Sequence, residues 1–135
     1  MTSMTALLGF TGWTLLMVLL VFSYRGVRLL QGTPINNWPR GKADTGDAAF
    51  AKRVSDAHAN CLENLPVFAV LVLAAAAMGK DAAVATYAPI VLYARIGQST
   101  AHLIATTKLL VLIRATFWAV QLVMFGLMLK GLLLG

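Results

Sequence analysis

Leu7 to Tyr24 contains no charged residue, and three further stretches, around Leu65 to Met78, Ala82 to Ala105 and Leu109 to Leu134, are nearly as apolar. Crossing a hydrocarbon core about 30 Å thick takes roughly 20 apolar residues in a helix. The first, third and fourth stretches meet that length directly. The second meets it as the apolar part of a helix that starts near Ala48 with a polar first third. The pattern predicts an all-α fold, a bundle of four transmembrane helices spanning about residues 5–28, 48–78, 82–105 and 109–134.

Composition supports that class. Of 135 residues, 59% are hydrophobic and only 12% charged, against about 25% charged in a soluble domain, and mean hydropathy is +0.78. The length suits one domain, and no period of repeat-protein size recurs along it. A net charge of +6 invites a nucleic-acid reading. However, six of the eleven basic residues (Arg25, Arg28, Arg40, Lys42, Lys52 and Arg53) fall between the first two apolar stretches, where basic residues set membrane orientation. That loop is expected on the cytoplasmic side, as is Lys108, with both termini opposite, and no nucleic-acid partner is expected. Cys61 is a lone cysteine, so no internal disulfide can form. The first basic residue is Arg25, so a cleavable signal with a positive start is not expected and the first stretch should remain as a span.

Breakers divide the spans. Gly79 is placed to stop the second helix, and Thr106-Thr107-Lys108 forms a corner before the fourth. Residues 31–47 contain Gly32, Pro34, Pro39, Gly41 and Gly46 and read as an irregular loop. Pro66 removes one backbone hydrogen bond within the second helix.

The informative residues are the polar ones inside these spans. At about 100° per residue, Arg53, Asp56, Asn60, Glu63 and Asn64 occupy one face of the second helix, while His58 points elsewhere. Arg95, Gln98, Ser99 and His102 share a face of the third, since spacings of three and four are helical neighbours. Polar stripes are unfavourable against lipid, so they should face each other, another subunit or a wet cavity. Each residue also has a plainer explanation. Glu63 and Arg95 could form a packing ion pair, Arg53 and Arg114 could snorkel to the interface, and Asn60 and Gln98 could bond helix to helix. Cys61 reads as a small packing residue. The two histidines lack partners at metal-ligand spacing, so no metal site is expected. The case for a site rests on the cluster.

The string Ala57-His58-Ala59-Asn60-Cys61-Leu62-Glu63-Asn64-Leu65-Pro66 resembles the second-helix signature of the MAPEG family, the membrane-associated proteins in eicosanoid and glutathione metabolism. Its Asn-x-x-Glu-x-x-Pro core is present as Asn60, Glu63 and Pro66. Tyr93-Ala94-Arg95-Ile96-Gly97-Gln98, followed by His102, is similar to the family's arginine-bearing third-helix segment. The resemblance implies a homotrimer of four-helix protomers acting as a membrane-embedded glutathione transferase or peroxidase, with glutathione as cosubstrate and a lipophilic electrophile or hydroperoxide drawn from the bilayer. It places Arg53, Asn60, Glu63, Arg95, Gln98 and His102 as glutathione-binding candidates. Arg114, the one arginine of the fourth span, becomes the candidate that stabilises the thiolate. A nearby cation lowers a thiol pKa below its free value of about 8.5. One position departs from the pattern: Asp56 stands where many relatives carry an arginine for a glutathione carboxylate. Two rival functions are a transporter using Glu63 as a membrane-embedded proton or cation site, and a non-catalytic membrane scaffold.

Overall fold

In a computed structural model covering residues 1–135, the chain forms four long helices and no strands: α1 (Ser3–Leu30), α2 (Ala49–Ala77), α3 (Ala88–Ile104) and α4 (Lys108–Leu134). Side chains cap two of the starts. Thr2 accepts from the Thr5 amide at 3.0 Å, and Thr107 accepts from the Leu110 amide at 3.4 Å, each occupying one of the free donors of a first turn.

Gly79 ends α2 as its position predicted. It adopts φ +65°, which lets the Lys80 amide donate back to the Ala75 carbonyl at 2.8 Å and the Gly79 amide to Ala76 at 3.2 Å. That pair of bonds closes the helix. Lys80 then reaches across to the last turn of α4, donating from Nζ to the Leu132 carbonyl at 3.2 Å.

The third helix starts later than its hydropathy suggests. Residues Asp81–Ala83 form a single 3-10 turn, and the regular helix begins at Ala88. Pro89 is the reason, because proline has no N–H to donate to the turn before it and is accepted only near a helix start. At 17 residues, α3 is about 25 Å long, shorter than the other three. Those three are long and apolar enough to cross a membrane.

The shared core is packed from all four helices. Phe10, Phe68 and Phe125 stack in series, with ring centroids 5.4 and 6.1 Å apart, amid Ala6, Val72, Ala75, Val91 and Met128. Small residues let the helices approach. A Cβ on Gly97 would sit 2.8 Å from the Phe117 ring, and one on Gly131 only 3.3 Å from the Ala83 carbonyl. Leu8, Leu19, Val70, Leu112 and Leu133 are exposed on the outer surface, as expected of helices whose outer solvent is hydrocarbon.

The 31–47 connection is more ordered than its breakers imply. Arg28, in the last turn of α1, donates to Asp47 Oδ1 at 2.9 Å, to the Gly46 carbonyl at 3.1 Å and to Thr33 Oγ1 at 3.1 Å. Trp38 Nε1 shares its proton between both Asp47 oxygens at 3.0 Å, and its ring lies 5.3 Å from the Arg25 guanidinium. The Ala48 amide closes the loop onto Tyr24 Oη at 2.9 Å. Trp38 is therefore a clamp within this loop.

Candidate functional site

The polar face of α2 straddles the edge of the bundle. Asn64 is buried, Arg53 and Asn60 are half-buried, and Asp56 and Glu63 are exposed, in the order their helical angles dictate. A single stripe thus feeds two different environments.

Inside the protomer lies a fully buried network. Arg95 donates from Nε to Gln121 Oε1 at 3.0 Å, Gln121 Nε2 donates to Gln98 Oε1 at 2.8 Å, and the Arg95 guanidinium sits 5.4 Å from the Phe10 ring centroid. Both terminal nitrogens of Arg95 are buried without a hydrogen-bond partner. Beside it, Cys61 Sγ and Ser99 Oγ are 3.6 Å apart. Glu63 makes no bond to Arg95, although it lies within electrostatic reach of it. His102 is buried near Arg114, whose Nε is likewise buried and unpartnered. Arg53 turns toward the end of α3, donating from Nε to the Leu103 carbonyl at 3.0 Å and lying over the Phe50 ring. A cation beside terminal carbonyls is favourable for the helix dipole.

Outside this network, between the clamped loop and α2, lies an open cup of about 900 Å³. Arg25, Arg40, Lys42 and Lys52 supply its positive charge, and Asp56, His58 and Glu63 line its α2 wall. The one ion pair of the protomer is Arg28 with Asp47, so neither Asp56 nor Glu63 is paired. A second cleft, of about 450 Å³, runs along the same side of α2 just beyond the cup, lined by Pro66, Val67, Val70, Leu71, Phe125 and Leu129. It is almost wholly apolar. Pro66 lies three residues after Glu63, so the charged cup and the apolar cleft follow each other within one helical turn.

Of the residues singled out from sequence, Glu63 and its neighbour Asp56 line the cup. Arg95 and Gln98 join the buried network through Gln121, and His102 packs near Arg114. Asn60 accepts from Asn64 Nδ2 at 3.3 Å through its own carbonyl. Arg53, Asn60, Arg95, Gln98, His102 and Arg114 do not line the cup of the single protomer. Two participants escaped the sequence reading. Gln121 is a polar residue alone in an apolar span, a signal of its own. His58 was set aside for lying off the α2 stripe, but the loop folds over that flank.

The sequence model described as the MAPEG family matches residues 3–134, nearly the whole chain. No curated protein sequence and no solved structure matches it.

Proposed function

This chain belongs to the MAPEG family and is an integral membrane protein; from that premise we propose that it is a glutathione-dependent transferase or peroxidase acting on lipophilic substrates. The observation that carries the proposal is the succession, along one side of α2, of a mixed-charge cup and an apolar cleft. Glutathione has two carboxylates, an ammonium and a thiol. The cup offers cations and carboxylates together, and the cleft offers a lipophilic compound a path of apolar contact to the cup's edge.

In this reading Glu63 takes the ligand ammonium and the cations of the cup orient the remainder, with Asn60 supporting Glu63 from the adjoining face of α2. Thiolate sulfur attacks an electrophilic carbon, forming a C–S bond while the displaced group departs with the electron pair. With a hydroperoxide, two thiols are oxidised to a disulfide as the peroxide becomes an alcohol and water. Arg114, with an unpartnered Nε and outside the cup of its own protomer, is the cation assigned to a thiolate held in the cup of a neighbouring copy, because a positive neighbour raises the population of the nucleophilic form. Arg53, Arg95, Gln98 and His102 support the site from behind α2 and at its end.

Assembly belongs to the same proposal. Unpaired carboxylates on the outer side of a membrane-embedded helix are costly against lipid, and a neighbouring copy would cover Asp56 and Glu63. A homotrimer, with the 31–47 loop on the cytoplasmic side and both termini opposite, satisfies that need and the basic-residue asymmetry.

The test is glutathione binding by the purified protein in detergent, followed by calorimetry and by thiolate absorbance. Saturable binding with a new thiolate band is expected. Absence of saturation at millimolar glutathione overturns the proposal.

A further inference from the structure

Resting on the reading that the cup holds glutathione, we infer that His58 is the catalytic base that takes the proton of its thiol. That proton has to be placed, because the S–H bond must break before the sulfur can attack as thiolate. Arg114 stabilises the negative sulfur but already carries its protons and accepts none. The cup is lined by Arg25 from α1, Arg40 and Lys42 from the loop, and Lys52, Asp56, His58 and Glu63 from α2, with Asp47 tied to Arg28. As classes, lysine and arginine hold their protons to above about pH 10, and carboxylates, which titrate near about pH 4, are poor acceptors from a thiol near about 8.5. Imidazole alone changes charge close to neutral pH. His58 is half-buried in the cup wall and is tied up in no ion pair of the protomer.

Its place on the helix supports the assignment. His58 and Leu62 line the cup, and Pro66 and Val70 line the apolar cleft. Successive members of this series are four residues apart, so they are neighbours along one strip of α2, about 6 Å from one Cβ to the next. A lipophilic compound seated in the cleft reaches the cup at Leu62, one turn from His58, and that is where sulfur and electrophile meet. Proton transfer there creates thiolate and imidazolium side by side, and the opposite charges stabilise each other. The electron pair of the S–H bond stays on sulfur and forms the C–S bond as the leaving group departs with its own pair. With a hydroperoxide, the sulfur takes the terminal oxygen, the O–O bond breaks, and the imidazolium returns the proton to the departing alkoxide. A second thiol then converts the sulfenic acid to disulfide and water.

The experiment uses the full chain in detergent, glutathione and a small water-soluble aryl halide. Calorimetry in two buffers of different ionisation enthalpy counts the protons released on binding, and absorbance counts the thiolates formed. At about pH 7.5, one unit above the ordinary imidazole value, the wild-type protein should form thiolate while releasing almost no proton to the buffer. In His58→Gln each thiolate formed should release one. A free thiol of pKa about 8.5 is about 3% ionised at pH 7 and about 75% ionised at pH 9. Turnover efficiency of His58→Gln should therefore fall about ten- to thirty-fold at about pH 7 and less than about two-fold at about pH 9, with unchanged thermal unfolding and little change in glutathione affinity. One proton released per thiolate by the wild-type protein overturns the inference. So does saturable binding with no thiolate band, or a loss in His58→Gln that is equal at both pH values, and in each case the glutathione reading stands. If glutathione does not bind, the inference and the reading fall together.

Discussion

At the scale of single residues, the buried network is the most exacting feature. Arg95 is fully buried, and within the protomer its guanidinium is held by Gln121 and the Phe10 ring, with Glu63 acting only at a distance. Removing one member of a buried pair leaves the other unsatisfied, whereas replacing both by apolar groups is often nearly neutral. Gln121→Leu is therefore expected to cost about 1 to 3 kcal/mol, read as a lower midpoint of thermal unfolding in detergent. The double variant Arg95→Met/Gln121→Leu should recover most of that loss. Additive losses would show that the two side chains act independently. Arg95, Gln98 and His102 could be grouped from sequence because spacings of three and four fix a helical face. Gln121, the partner shared by Arg95 and Gln98, lies on another helix, and no local pattern shows which helices will meet.

At the scale of elements, the boundaries that follow from backbone chemistry were legible. Gly79 stopped α2 because only a residue at ease with positive φ could turn there. Pro89 was equally visible as a residue, but hydropathy alone ran the third span through it to Ala82. The loop was the larger surprise, since its glycines and prolines predict irregularity and are silent about the Arg28–Asp47–Trp38 clamp that joins residues up to 19 apart in sequence. Asp47→Ala removes the acceptor that holds both partners. Amide exchange across 31–47 should then speed up while the four helices keep their protection. Equal exchange in both proteins would mean that Asp47 does not hold the loop. The α3–α4 seam makes a further prediction. A Cβ on Gly97 would meet the Phe117 ring at 2.8 Å, so Gly97→Val should destabilise by about 1 to 3 kcal/mol through overpacking. Phe117→Ala in the same chain should restore part of the lost thermal stability, because it clears the space the new side chain needs.

At the scale of the whole molecule, the helices sort polar chemistry by radial position: a bonded network within, a charged cup at one end, and an apolar cleft on the outer surface. Glu63 lies on the outer side of α2 and lines the cup, a placement better suited to binding a ligand from outside than to an interior ion path. If cup and cleft divide the work between thiol and lipophilic partner, each can be impaired alone. Val70 lines the cleft and does not reach the cup, and it is 65% exposed on the protomer surface, so a larger apolar side chain there should not disturb the protomer's packing. Val70→Trp would fill much of the cleft. The expected result is a fall of about ten-fold or more in turnover efficiency with lipophilic electrophiles, the range over which apolar pocket contacts discriminate, with the glutathione dissociation constant unchanged. A small water-soluble electrophile, which needs no cleft, should be processed at close to the original rate. Equal losses for both electrophiles would mean that the cleft does not seat the lipophilic partner, and a matching loss of glutathione affinity would mean that cup and cleft are one site.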